Sequence, residues 1–276
     1  MKFQLLNNKE RYISKFTQGG QPNLNSKIVK SYDLPLPPLA EQEKIADCLT
    51  AWDKAIEKIT ALIEAKKQYK KGLMQQLLTG KKRLNGFTQH WEEVKLGEVL
   101  EESNIPSNKT DKERRITVKL HLGGVEKREV RGTEADSTNF YVRKKGQLVY
   151  GKQNFHNGAI GIIPENLDNY ESTSDIPSFD ILPNINKTFL FYYITRTSFY
   201  KRMELKTTGT GSKRLHPREL FSTSILYPSL EEQTAIAAIL SAADKEIRLL
   251  EQKLASLKTQ KKGLMQQLLT GKKRLV

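Results

Sequence analysis

The residues best suited to chemistry lie in two short loops. Gly151–Asn157 reads GKQNFHN and falls between two strand-like runs. Lys152 can meet a phosphate, while Gln153, Asn154 and Asn157 carry the paired donor and acceptor that read adenine. His156 can hydrogen-bond a base or a phosphate, and Phe155 adds an aromatic surface. The second loop, Thr207–His216, reads TTGTGSKRLH. Its glycines let backbone approach a ligand closely, Thr208, Thr210 and Ser212 can donate to phosphates, and Lys213 and Arg214 supply charge or guanine readout. Asn108–Arg115 is a weaker third candidate, equally readable as a solvated charge run. The bland reading of each is a mobile surface loop.

Catalytic patterns are missing from the sequence. There is no G-x-G-x-x-G after a strand and no phosphate loop with its lysine. We find no D/N-P-P-Y/F tetrad of a methyltransferase and no acidic pair with a nearby lysine of nuclease type. His90, His121, His156 and His216 are scattered without metal-ligand spacing, so no metal site is expected. The single cysteine, Cys48, sits in an apolar helical pattern and makes a poor nucleophile. It cannot close an intramolecular disulfide, which fits a reduced, cytoplasmic protein. No apolar run is long enough to span a membrane, and Met1–Glu10 lacks the pattern of a secretory signal. The formal charge of +15 points to a polyanionic partner, most simply nucleic acid.

The elements that must position these loops are written twice. Lys70–Leu84 and Lys261–Leu275 are the same fifteen residues, KKGLMQQLLTGKKRL, at an offset of 191. The offset continues upstream: Gln42, Ile45, Ala46, Leu49, Asp53 and Lys54 meet Gln233, Ile236, Ala237, Leu240, Asp244 and Lys245. Each copy predicts a helix of about 40 residues ending at Thr-Gly, where glycine suits the left-handed position after a helix. Apolar residues at Ile45, Leu49, Trp52, Ile56, Ile59 and Ile63 alternate spacings of four and three, the seam of a coiled coil. Lys66 and Lys70 interrupt that seam. The second seam runs through Ile236, Leu240, Ile247, Leu250, Leu254 and Leu257. An antiparallel pair within the chain is expected, with the intervening domain returning the second helix to the first. That domain shows strand-like runs at Ile116–Leu122, Asn139–Val142, Gly146–Tyr150, Gly158–Ile163 and Ser178–Leu182, then a helical, aromatic Lys187–Met203. The fold class is α+β: one α/β domain plus two long helices.

At this point the chain resembles the DNA-specificity subunit of type I restriction–modification systems. The resemblance rests on WEEVKLGEVLEE (Trp91–Glu102), TGTGSKRL (Thr208–Leu215), PLPPLAEQEKIA (Pro35–Ala46), YPSLEEQTAIA (Tyr227–Ala237) and the two GLMQQLLTG helix ends. That family carries two target recognition domains, each followed by a helical spacer. The resemblance therefore implies a remnant of a first recognition domain (1–36), a first spacer helix (37–85), a complete recognition domain (86–228) and a second spacer helix (229–276). Met1–Lys15 should be the end of a helix and Lys27–Leu36 a short strand.

What the resemblance implies about function is a non-catalytic reader of one half of a split target in double-stranded DNA. Methyltransferase (modification) subunits would dock on its helices, and a restriction subunit would join them. S-adenosylmethionine, ATP and Mg would belong to those partners, with no cofactor in this chain. With one complete reader, the chain could also pair with a second copy through its helices. Two other readings remain at this stage. One is a truncated paralogue that occupies the modification subunit as a regulator or decoy; the other is a stand-alone nuclease with an unseen motif.

Overall fold

The computed structural model describes residues 36–108, 111, 113–129, 138–209 and 213–275. The expected helix at Met1–Lys15 lies outside these residues, as does the strand at Lys27–Leu36 apart from Leu36. The chain divides into two compact units, Met1–Gln68 with Asp244–Val276, and Tyr69–Ala243. The secondary structure is α+β, with two helices of 39 and 40 residues, α1 (Leu39–Leu77) and α5 (Leu230–Leu269).

Within the first unit the helices run antiparallel, as their cross-links show. Arg274 clasps Glu41 through two hydrogen bonds of 2.6 and 2.7 Å. Lys261 meets Asp53, Lys67 reaches Glu251 and Lys66 reaches Glu246, so rising numbers on one helix meet falling numbers on the other. Ile45, Leu49, Leu268 and Leu269 form a small buried cluster. Ile63 and Ile247 are buried too, and Trp52, Ile56, Ile59, Leu250, Leu254 and Leu257 are half-buried among exposed neighbours. The a/d spacing thus marks the covered stripe. Lys66, half-buried, places its ammonium 2.7 Å from Glu246 across the pair.

The second unit is a recognition-sized α/β body built from short antiparallel strands. In chain order these are β1 (Glu92–Lys95), β2 (Leu100–Ser103), β3 (Ile105–Pro106), β4 (Ile116–Val118), β5 (Val125–Lys127), β6 (Phe140–Arg143), β7 (Leu148–Tyr150), β8 (Ile160–Ile162), β9 (Tyr170–Thr173) and β10 (Ser178–Ile181). Helices α2 (Lys187–Ile194), α3 (Thr197–Arg202) and α4 (Pro217–Phe221) follow, then β11 (Ser224–Tyr227). The central sheet has the order β2-β10-β7-β8; β3-β6-β9 forms a second sheet, and β1–β11 and β4–β5 are two-stranded.

One apolar core binds this unit. Tyr150 stacks on Phe179 at 5.6 Å between ring centres and takes Phe155 edge-on at 5.1 Å. Leu77 at the end of α1, Leu78 just beyond it, and Ile236 and Leu240 of α5 belong to the same core, so the helix ends here are part of the domain's packing. The expected single helix over Lys187–Met203 is two helices. Thr195 Oγ1 bonds back to the Phe191 carbonyl, and Arg196 is extended and starts α3. After β1 the chain makes a short 3-10 turn at Leu96–Glu98 and enters β2, whose backbone is satisfied by pairing with β10.

Candidate nucleic-acid interface

The first loop is held from beneath. Phe155, expected as a ligand-facing aromatic, is fully buried and anchors the loop in the core. Around it the backbone closes on itself: Asn154 N–H donates to Gly151 O at 3.0 Å, Asn157 N–H to Asn154 O at 3.0 Å, and Ala159 N–H to Asn154 O at 3.0 Å. Gly158 ends the turn at φ +75. Asn157 Nδ2 donates to Asn154 Oδ1 at 3.1 Å, so these two amides orient each other. Gln153 and Asn157 are exposed, while Lys152, Asn154 and His156 are half-buried. The loop is a rigid shelf.

The second loop closes as a hairpin. Thr208 N–H donates to Arg214 O at 3.0 Å and Arg214 N–H to Thr208 O at 2.9 Å. Thr210 and Ser212, at its tip, lie outside the described residues. Lys213 is 61% exposed and stands 3.8 Å from Glu204.

The two loops meet through backbone and one carboxylate. Leu215 N–H donates to Lys152 O at 2.9 Å, and Tyr150 Oη donates to Leu215 O at 3.1 Å from inside the core. Burial pushes the Tyr150 phenol well above its ordinary range, so it remains a neutral donor. Asp175, which sequence reasoning missed, links a third loop to both: its carbonyl accepts from Lys152 N–H at 2.9 Å, and its carboxylate lies 3.3 Å from Arg214 Nε.

That third loop, Thr173–Ser178, is fixed by Arg143. Its guanidinium is fully buried and donates to Ser172 Oγ at 2.7 Å, to Ser178 Oγ at 2.8 Å and to the Ser103 carbonyl at 2.8 Å. Burial pulls its pKa down to about 10, still cationic at neutral pH, with Glu102 pulling the other way. A buried cation held by hydroxyls and carbonyls gives a stiff joint between β6, β9 and β10.

The third candidate stretch fares differently. Arg115 is buried in an ion pair with Glu171 and lies 3.8 Å over the Phe140 ring. Its guanidinium is spent on structure. Among the described residues no group of histidine, cysteine and carboxylate side chains could hold a metal ion, and no helix is long and apolar enough to cross a membrane.

The profile of the "Type I restriction modification DNA specificity domain" matches residues 1–67 and 88–259. The type I restriction enzyme MjaVIII specificity subunit of Methanocaldococcus jannaschii is 29% identical over 303 aligned residues, which cover 99% of this chain and 70% of that protein. The putative type I restriction enzyme MjaX specificity subunit of the same organism is 28% identical, covering 96% of this chain and 64% of that one. Among solved structures, the S subunit of a type I restriction–modification system from M. genitalium superposes with a TM-score of 0.60 at 18% identity. That match covers 97% of this chain and 71% of the other. The HsdS subunit from Thermoanaerobacter tengcongensis gives a TM-score of 0.50 at 18% identity, over 98% and 67%. This chain spans about two thirds of the length of the proteins it matches.

Proposed function

The chain belongs to the type I restriction–modification DNA-specificity family, and from that premise we propose that its second unit reads one half of a bipartite double-stranded DNA target. The observation that carries the reading is the convergence of Gly151–Asn157 and Thr207–His216 through Leu215, Lys152 and Asp175. Two loops with the residue types for base and phosphate contact form one face on a rigid footing. In this reading Lys152, Lys213, Thr208, Thr210 and Ser212 take phosphates, which position the protein. Arg214, Gln153, Asn154, His156 and Asn157 face base edges, where a bidentate arginine or amide separates guanine from adenine. The Asp175 carboxylate stands beside Arg214 as a counter-charge in the absence of DNA.

The chain itself carries no reaction in this proposal. Catalysis lies in modification subunits docked on α1 and α5, and in a restriction subunit that joins them. The competing reading, a decoy that occupies the modification subunit without reading a target, needs the helices and leaves the loops idle.

The test is selection of duplexes from a randomised pool by the chain bound to its modification subunit. Enrichment of a defined half-site, with binding that weakens steeply with salt, is the expected outcome. Arg214→Ala should relax one position of that half-site by about 1–3 kcal/mol, while Lys213→Ala weakens all sequences evenly. A complex that forms but enriches nothing would establish the decoy.

A further inference from the structure

The turn between β4 and β5 is built against local preference. His121 and Leu122 lie at φ 56 and φ 59, a left-handed conformation uphill for any residue with a β-carbon. Gly123 N–H donates to Leu120 O at 3.0 Å, which makes His121 and Leu122 the central pair of a four-residue turn. Such central positions favour Asn-Gly or Gly-Gly. The chain has Gly123 and Gly124 immediately beyond, yet it places a histidine and a leucine at the left-handed pair.

The strain is held in place by the first candidate loop. His121 N–H donates to Asn157 O and Leu122 N–H to Gly158 O, each at 2.9 Å. The approach is close enough that a β-carbon on Gly158 would stand 3.2 Å from Leu122 N. The turn is thus a rigid extension of the shelf that carries Gln153 and Asn157. What it presents outward is unusual for a surface turn: Leu120 is 45% exposed and Leu122 38% exposed. Strained residues other than glycine cluster at ligand-contacting sites.

We propose that the Leu120–Gly123 turn is a further DNA-contacting element of this domain, in which Leu122 lays its side chain against the apolar surface of a base. The proposal rests on the DNA-reading function above. A polyanion fits the charge of +15, and the turn is joined by two hydrogen bonds to the shelf assigned to the same duplex. Two base surfaces share this chemistry: the thymine methyl in the major groove, and the face of a base opened at a flexible step.

The experiment is binding of the selected duplex by the chain–modification-subunit complex, wild type against Leu122→Gly and Leu122→Met. Glycine at φ 59 relieves the backbone, so Leu122→Gly should melt at the same temperature or higher. It should bind the selected duplex about threefold to thirtyfold more weakly with an unchanged salt slope, because no phosphate contact is lost. Leu122→Met should keep most of the affinity. Uracil in place of thymine in the duplex would reproduce the loss if the methyl is the partner. A rise in 2-aminopurine fluorescence on binding, absent with Leu122→Gly, would identify an opened step. Full affinity in Leu122→Gly, with binding still weakened by Lys213→Ala, overturns this inference and leaves the DNA reading standing. A lower melting temperature in Leu122→Gly assigns Leu122 to packing and also overturns it. Failure of the wild-type complex to select any duplex removes the DNA reading itself.

Discussion

The internal repeat builds the same clasp in both units, and the two copies differ in exposure: Arg83 and Glu232 are 28% and 1% exposed, Arg274 and Glu41 57% and 9%. In the second unit Arg83 grips Glu232 with two bonds of 2.7 Å. In the first unit Arg274 grips Glu41 in the same way. Each arginine and each glutamate is the other's counterpart at the offset of 191. The match extends to the helix ends, where Gln42 and Gln233 both donate to a proline carbonyl at 2.8 Å, and Gly80 and Gly271 both take positive φ. The second unit adds Trp91, whose Nε1 donates to Glu232 at 2.9 Å. Its ring lies 3.4 Å from where a β-carbon on Gly80 would stand; at Gly271, among the described residues, nothing lies within 4 Å. A repeated sequence therefore yields the same ionic lock twice, with the carboxylate buried in both and the arginine more covered in the second unit.

The largest expected effect breaks the sealed copy. Glu232→Ala leaves Arg83 and the Trp91 N–H without their acceptor in a site where the carboxylate is 1% exposed. A loss of about 3–5 kcal/mol is expected, read by hydrogen exchange in the first turn of α5. Trp91→Phe keeps an aromatic side chain but removes the indole N–H and its bond to a charged acceptor, for about 1.5–3 kcal/mol. Glu41→Ala should cost less than Glu232→Ala by the same exchange measurement; equal losses would mean the indole seals nothing. The smallest effect is acid sensitivity. The hydrogen bond from Arg274, aided by its charge and by Leu275 N–H and Lys44 against a burial penalty, holds the Glu41 carboxyl below its ordinary value of 4.5. Its contribution is therefore complete above pH 4.5 and disappears as pH falls toward the lowered value. Exchange at Gln266–Leu269 should quicken over that window, and added salt should quicken it at neutral pH.

These elements differ in how far the sequence announces them. The helices are legible because seam, glycine stops and duplication all point the same way. Lys66 and Lys70, read as interruptions, are half-buried and find partners: Lys66 meets Glu246, and the Lys70 ammonium lies 4.9 Å from the Tyr192 ring centre. The short strands are harder. Glu92–Lys95 and Tyr170–Thr173 are only four residues each and largely polar, so period-two patterning has too few apolar positions to register. The loop residue types were legible, but their convergence was not. Asp175 reaches Arg214 across 39 positions, and Phe155 looks like a ligand contact until the core claims it. The strain at His121 and Leu122 has no local signal, since the adjacent glycines advertise a relaxed turn.

The duplicated clasp also bears on how the chain is made. Glu41 and Glu232 are one address, and Arg83 and Arg274 are one reply. During synthesis α1 leaves the ribosome 191 residues ahead of its intended partner, an interval of roughly 10–40 s at ordinary elongation rates. Release of α5 then sets a competition between a partner in the same molecule and an identical one outside it. The tethered partner is favoured by its effective concentration, which a partner outside the molecule matches only in a crowded pool of chains.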